Sequence, residues 1–136
     1  DANESAGPRM LKWPIDPNMT GWFSGADYAI FRYSHVLLMK AEAEFNSGGS
    51  GVAELNQVRT RAGLDALASI DSEAILAERG HELLWEGFRR QDLIRHGKFL
   101  EAWTHKDASD GDHRVLFPIP QSQLDANPNL VQNSGY

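Results

Sequence analysis

The sequence predicts a mainly α-helical protein, built from antiparallel helical hairpins and ending in an extended, proline-containing segment. Three stretches place apolar residues at helical spacing, and glycines separate the first two of them. Connections as short as G-G-S-G make consecutive helices antiparallel neighbours, which is the building plan of helical-repeat proteins. Near the C-terminus, Pro118 and Pro120 rule out a long helix and require an extended path.

The chain of 136 residues is long enough for one domain, so we predict a single domain over residues 1–136. We expect a loop-like lead-in over 1–26, a helical part over 27–104, and a loop with an extended tail over 105–136. The net charge of −6 argues against nucleic acid as a partner, because neutralising phosphates requires a positive face. The sequence has no cysteine, which excludes disulfides, thiolate zinc sites and thiol nucleophiles within it.

The first helix is predicted to run from Asp27 to Asn46. Asp27 is a suitable N-cap, and Gly48 and Gly49 end the helix in the left-handed way. Apolar residues occur on almost every side of this helix, namely Ile30, Phe31, Val36, Leu37, Leu38, Met39 and Phe45. We therefore expect it to be covered on more than one side.

The second helix is predicted from Gly51 to Ala62. Its apolar residues recur at helical spacing. Gly63 followed by Leu64 suits a Schellman motif, in which a left-handed glycine ends the helix and the next residue bonds back to it.

The third helix is predicted as one continuous element over residues 71–97, with Asp71 as its N-cap. Gly80 and Gly87 fall on its apolar stripe. A solvated helix has no need of glycine there, whereas a helix pressed against another backbone does. We therefore expect a buried structural helix with close backbone contacts at both glycines.

Acidic and basic side chains are dense on this third helix. The predicted structural ion-pair network consists of Glu78, Arg79, Glu82, Glu86, Arg89, Asp92 and Arg95. Acids four residues apart on a helix lie about 6 Å apart, close to the spacing of a retaining glycosidase pair. However, arginine pairing lowers the pKa of a carboxyl and removes the proton that a general acid needs. The sequence therefore favours internal bracing over catalysis.

Metal and catalytic motifs are incomplete. His81 and Glu82 begin like a zinc-protease motif, but Trp85 stands where the second histidine is required. The acidic loop of Asp107, Asp110 and Asp112 does not match the ligand pattern of a calcium-binding EF-hand. The serines lack a G-x-S-x-G turn. We predict no catalytic residue, metal site or cofactor.

Four blocks in one order resemble the SusD/RagB family of nutrient-uptake lipoproteins. They read R-Y-S-H-V-L-L-M-K-A-E-A-E-F-N at 32–46, L-N-Q-V-R-T-R-A-G-L at 55–64, E-R-G-H-E-L-L-W-E-G-F-R-R-Q-D-L-I-R-H-G-K at 78–98, and L-F-P-I-P with N-P-N-L-V-Q-N-S-G-Y within 116–136. The chain resembles only the C-terminal part of such proteins, which are several times longer.

The resemblance implies a fold with tetratricopeptide-like hairpins and a place on the outer face of the outer membrane, held by a lipidated cysteine upstream. It also implies a SusC-like TonB-dependent transporter as partner, and glycans or, in some members, peptides as ligands. The predicted function is thus a non-catalytic glycan-binding protein in which this chain is the helical scaffold. Trp22, in a glycine-rich loop, is the residue predicted to contact sugar.

Two other functions remain open at this point. The first is a free-standing helical-hairpin adaptor that binds peptides in a concave, exposed groove. The second is a small glycoside-cleaving enzyme, which requires a carboxylic acid in an open cleft free of arginine.

Overall fold

The computed structural model describes residues 12–136, so predictions about residues 1–11 of the lead-in lie outside the described part. The chain divides into two compact units, one ending at Ile30 and the other running from Phe31 to Tyr136. In the first unit, residues 12–30 form turns and extended stretches around one antiparallel bridge between Thr20 and Phe23. The single domain over residues 1–136 stays a prediction.

The second unit is helical. Its elements are α1 (Tyr33–Asn46), α2 (Val52–Arg61), α3 (Ser72–Glu82), α4 (Arg89–Arg95), a 3-10 helix (Asp112–Val115) and α5 (Gln121–Ala126). The described residues contain two isolated bridges and no longer strand. The predicted mainly helical class is therefore confirmed. No helix within residues 12–136 is both long and apolar enough to cross a membrane.

The core lies where α1, α2 and α3 meet. Leu38 and Ala41 of α1, Leu55 and Val58 of α2, and Ile75 of α3 are each at most 1% exposed. Burying one such aliphatic side chain contributes about 1.5–3 kcal/mol. Apolar contacts between α1 and α2 thus hold the hairpin together, and α3 packs against the same apolar residues.

The connection between α1 and α2 touches the α1 backbone. Gly51 has φ +63°, and a Cβ built on it would overlap the carbonyl group of Ala41, with the carbonyl carbon 2.9 Å away. Only glycine tolerates both the left-handed conformation and this close approach. The close glycine–backbone contact expected in the third helix is therefore found here instead.

The start of α1 differs from the prediction. The helix begins at Tyr33 rather than near Asp27, and its N-cap, Arg32, is extended and makes no side-chain capping bond. Asp27 belongs to the first unit and caps no helix. Asp27 was predicted as the cap from its capping propensity, which depends on the residue alone. The helix instead begins directly after Arg32, whose side chain pairs with Glu86.

The prediction of one continuous helix over residues 71–97 is wrong. After α3 ends at Glu82, a turn separates it from α4, and in that turn Trp85 has φ +65° and Gly87 has φ +81°. An α-helix cannot include left-handed residues. Apolar residues keep their helical spacing across the turn, so the sequence pattern predicted one helix where there are two.

The proposed reason for the two glycines is also wrong. A Cβ on Gly87 would meet nothing within 4 Å, so this glycine serves the left-handed turn. A Cβ on Gly80 would lie 2.7 Å from Nη1 of Arg89. Gly80 therefore lies against the guanidinium of Arg89 and not against the backbone of another helix.

Two predicted helix ends are confirmed. Gly63 is left-handed, and the amide of Leu64 donates to the carbonyl of Arg59 at 3.0 Å, as in a Schellman motif. At the start of α3, the carboxylate of Asp71 accepts from the amide of Ala74 at 2.8 Å. Local capping chemistry thus sets both boundaries.

The C-terminal residues run without regular structure from Phe117 to Pro120 before α5. Beyond α5, the side-chain amide of Gln132 donates to the carbonyl of Ile119 at 2.9 Å and accepts from its amide at 2.8 Å. The side chain of Gln132 thus makes the hydrogen bonds to Ile119, which lies between two prolines, that a neighbouring strand would otherwise make.

Candidate functional site

The acids of α3 and of the turn after it are held by arginines from other elements. Arg32, just before α1, donates to both carboxylate oxygens of Glu86 at 2.7–3.0 Å. It also pairs with the carboxylate of Glu82 at 2.9 Å and donates to the carbonyl oxygen of that residue. The side chain of Glu86 is 3% exposed. Arg32 therefore fixes the start of α1 against the turn that contains Glu86.

Two arginines of α2 pair with acids of α3. Arg59 pairs with Glu78 at 2.9 Å, and the side chain of Glu78 is 4% exposed. Arg61 pairs with Glu82 at 2.6 Å, but 61% of the Arg61 side chain is exposed. The first pair is therefore shielded from solvent and the second is largely screened by it.

A second group of charges joins α1, α3 and α4. Arg79 pairs with Asp92 at 2.8 Å, and both side chains are at most 3% exposed. Arg95 donates to Asp92 at 2.9 Å and to both oxygens of Glu42 at 2.6 and 2.8 Å. His96 lies 3.3 Å from the same Glu42 carboxylate. Since the three helices each contribute charge, this group acts as a bridge between them.

The carboxyl of Glu42 has a lowered pKa. Its burial alone would raise the pKa, but the hydrogen bond from Arg95 and the charges of Arg95, His96 and Arg79 outweigh burial. The same contact raises the pKa of Arg95, chiefly through the hydrogen bond to Glu42. Both groups therefore stay ionised at neutral pH.

His35 of α1 is buried beside this group. Burial, and then the charge of Arg79, lower the pKa of His35 below its ordinary value of 6.5. Nη2 of Arg79 lies 3.5 Å from Nε2 of His35, and the ring of Phe88 lies 4.1 Å from the imidazole. Arginine only donates, so Nε2 accepts and the proton of the neutral ring belongs on Nδ1.

The predicted network residues are brought into ion pairs, with one exception. Arg89 instead donates Nη1 to the carbonyl oxygen of Leu76 at 2.8 Å. Four partners from other elements were not predicted, namely Arg32, Glu42, Arg59 and Arg61. Glu42 could have been found, because it lies four residues after Leu38 and so on the same, apolar face of the helix.

The acids required by an enzyme hypothesis are not placed in an open cleft. The side chains of Glu82 and Glu86 are 9% and 3% exposed, and Arg32 contacts both. Within residues 12–136, no cluster of three or more histidine, aspartate or glutamate side chains has the arrangement of a metal site. In the acidic loop, Asp110 pairs with Arg114 at 2.6 Å. These contacts are suited to bracing rather than to proton transfer.

Trp22 lies at the tip of a loop in the first unit and is 99% exposed. Asp16 holds the base of this loop, because its carboxylate accepts from the amides of Asn18 at 2.8 Å and Gly25 at 2.6 Å. These two bonds, the one from Gly25 above all, lower the pKa of Asp16. The loop therefore presents an indole in solvent on a backbone fixed by a carboxylate that stays ionised.

The helical unit has a cavity of about 280 Å³ bordered by Arg32 and Arg61, and two larger ones. One, of about 620 Å³, is bordered by Gly80, Leu84, Trp85 and Arg89. The other is a groove of about 520 Å³ between α1 and α4, bordered by residues that include Met39, Ala43, Phe88 and Arg95.

Comparison with known proteins gives one consistent family. The profile of the SusD family matches residues 2–114 and 100–136. The starch-binding protein SusD of Bacteroides thetaiotaomicron is 31% identical over 123 residues, covering 84% of this chain and 22% of that protein. The SusD-like protein P25 of Formosa agariphila is 35% identical over 155 residues, covering 95% of this chain and 29% of that protein.

Solved structures agree with the sequence comparisons. The surface glycan-binding protein A from Bacteroides uniformis superposes with a TM-score of 0.66 and 34% identity, covering 76% of this chain and 27% of that one. NanU of B. fragilis superposes with a TM-score of 0.63 and 34% identity, covering 82% of this chain and 27% of that one. The chain thus spans less than a third of the length of these relatives.

Proposed function

The chain belongs to the SusD family, and we propose that it is the helical scaffold region of a non-catalytic, glycan-binding protein. The observation that carries this proposal is the family match together with relatives named for starch or glycan binding. Inside the chain, the proposal is supported by the pairing of Glu82 and Glu86 with Arg32, because both carboxylates are mostly buried and bonded to arginine, and neither is open to a substrate.

Trp22 is the residue that we propose contacts the sugar. Its exposed indole offers a flat apolar face of the kind that stacks on sugar C–H groups. The amides of Asn18 and Gly25 donate to Asp16 and hold the loop backbone, so little additional ordering of the loop accompanies binding.

Isothermal titration of the full-length protein with a panel of oligosaccharides, including maltoheptaose, tests both statements. We expect Trp22→Ala to weaken binding at least about tenfold, the loss typical of a truncated stacking contact. Trp103→Ala is the matched control, because that indole is 48% exposed and lies beside Lys106. Binding unchanged by Trp22→Ala would reject the contact, and no binding to any glycan would reject the glycan proposal.

We also propose, from family membership, that the full-length protein is lipid-anchored on the outer face of the outer membrane and works with a SusC-like TonB-dependent transporter. Affinity purification of the tagged full-length protein from native membranes tests this partnership. A TonB-dependent transporter recovered in near-stoichiometric amount supports it, and recovery of the protein from the soluble fraction alone contradicts it.

A further inference from the structure

The turn between α3 and α4 borders the cavity of about 620 Å³. This volume falls within the range of small-molecule sites, about 300–1,000 Å³. The border of the cavity includes three small residues and two large apolar ones, namely Ala77, Gly80, Gly87, Leu84 and Trp85. We call this space the turn cavity.

The border of the turn cavity carries positive charge. Among the described residues it has three arginines, one histidine and no acid, namely Arg79, Arg89, Arg90 and His81. Arg79 is paired with Asp92. Within residues 12–136, however, Arg89 and Arg90 bond to backbone carbonyl oxygens and to no carboxylate. In a chain with a net charge of −6, this local excess of cations favours an anionic ligand.

The guanidinium of Arg89 is fixed by the protein itself. Its Nη1 donates to the carbonyl oxygen of Leu76 at 2.8 Å. The group also lies against Gly80, where a Cβ would be 2.7 Å from Nη1 and 3.1 Å from Cζ. Arg89 is exposed, and a guanidinium has more N–H donors than this one bond uses. A guanidinium fixed in this way can hold a carboxylate through two parallel hydrogen bonds at little cost in ordering.

Trp85 places an aromatic ring at the same cavity. Its φ of +65° is left-handed, which is a strained conformation for a tryptophan, and the residue is 57% exposed. Backbone strain of this kind occurs mainly at active sites, ligand sites and switch regions. An exposed indole offers a flat face that stacks on the C–H groups of a sugar ring.

We propose that the turn cavity binds an acidic sugar, with Arg89 bonding to its carboxylate and Trp85 stacking on its ring. A simple carboxylate makes no use of the indole, and a neutral sugar makes no use of the cations, whereas an acidic sugar ring uses both. That the ligand is a sugar rests on the proposed glycan-binding function. That it is acidic rests on the charges around this cavity. The site lies wholly in the helical unit and is separate from the Trp22 loop.

Isothermal titration of the full-length protein with matched ligands tests the proposal. The probes are trigalacturonic acid and sialyllactose, each compared with its own methyl ester, in which the carboxylate is neutral. We expect at least one acid to bind at least about tenfold more tightly than its ester, because charge-assisted hydrogen bonds to a guanidinium are roughly twice as strong as neutral ones.

Two substitutions separate the roles of the charge and the ring. Arg89→Gln should remove the preference for the acid and leave binding of the ester unchanged. Trp85→Asn should weaken the acid and the ester alike, and asparagine is suited to the left-handed turn. Arg61→Gln is the matched control, because Arg61 is exposed but does not border the turn cavity, and it should keep the preference.

Circular dichroism checks that each variant is folded. Arg89→Lys is a second test of the same position, because lysine keeps the charge but lacks the planar fork, and it should retain only part of the preference. Equal binding of acid and ester by the native protein would overturn the proposal, as would a preference that survives Arg89→Gln.

Other outcomes give the cavity a different ligand or none. Binding of a triglutamate peptide with the same affinity and the same dependence on Arg89 would assign the cavity to acidic peptides and overturn the proposal. If only neutral glycans bind, the acidic-sugar site is wrong and the glycan proposal stands. If no sugar of either kind binds, both proposals fail.

Discussion

Arg32 ties the start of α1 to the turn after α3. It bonds to Glu86 at 2.7 Å and to Glu82 at 2.9 Å, and the Glu86 carboxylate is almost completely buried. Arg32→Gln removes the charge of Arg32 from beside this buried carboxylate. We expect a loss of about 3 kcal/mol in the free energy of unfolding, the lower end for a broken buried pair, because 28% of the Arg32 side chain is exposed. Urea denaturation measures this loss.

Arg61→Gln is the control for this substitution. Arg61 also pairs with Glu82, at 2.6 Å, but its side chain is 61% exposed. Solvent screening limits such a pair to about 0–1 kcal/mol. Equal losses for the two variants would show that burial does not determine the strength of these pairs, and our interpretation of the network as internal bracing would then fail.

His35 makes the stability depend on pH in a defined direction. Burial and the charge of Arg79, with a smaller contribution from Arg32, lower the pKa of His35 in the folded protein, against the opposing charges of Asp92 and Glu86. As the pH falls from 7 through 6.5, the unfolded chain takes up a proton that the folded chain does not. The free energy of unfolding therefore decreases on acidification in this range.

His35→Gln removes this proton uptake, so we expect the variant to lose less stability than the native chain between pH 7 and pH 5. Urea titrations at pH 5, 6 and 7 measure the difference. Glu42 has a lowered pKa and contributes a separate loss, which begins only as the pH falls below 4.5. Identical slopes for the two proteins between pH 7 and 5 would contradict a neutral, buried His35.

At the scale of elements, the α1–α2 connection depends on one glycine. A Cβ on Gly51 would overlap the backbone carbonyl of Ala41, and its φ of +63° is left-handed. The conformation costs alanine about 1–2 kcal/mol, and forcing atoms into filled space adds about 1–3 kcal/mol. We expect Gly51→Ala to lower the free energy of unfolding by about 3 kcal/mol, as measured by urea denaturation.

Gly48→Ala separates the two contributions. Gly48 is left-handed with φ +89°, but a Cβ there would meet nothing within 4 Å. Its substitution should therefore show only the conformational cost of about 1–2 kcal/mol. A Gly51→Ala variant that is no less stable than Gly48→Ala would mean that α1 and the connection do not approach closely.

The sequence predicted the helices better than their junctions. Caps such as Asp71 and the Gly63–Leu64 stop depend on neighbouring residues alone, so they could be recognised in advance. The left-handed conformation of Trp85 could not be recognised in advance, because nothing in its local sequence favours a positive φ. The partners of the acids were missed for a related reason, since Arg32 lies 50 or more residues away from them.

At the scale of the whole molecule, the hydrophobic core belongs to residues 31–136. Every buried apolar side chain of the described part lies there, namely Leu38, Ala41, Leu55, Val58, Ile75, Leu76, Leu83 and Leu93. We therefore expect a fragment of residues 31–136 to unfold in one cooperative transition. Its Tm should differ from that of the 136-residue chain by less than about 4 °C, the shift that 1 kcal/mol produces in a domain near this size.

A shorter fragment that lacks residues 1–51 is the comparison for the 31–136 fragment. It lacks α1, and with it Leu38, Ala41 and the Glu42 carboxylate that bridges to α4. The remaining helices then keep Leu55 and the Asp92–Arg79 pair, but the surface that covered them is gone. We expect no cooperative transition in calorimetry for this shorter fragment. If the 31–136 fragment also failed to unfold cooperatively, residues 1–30 would be part of the folding unit, and the single domain predicted over residues 1–136 would gain support.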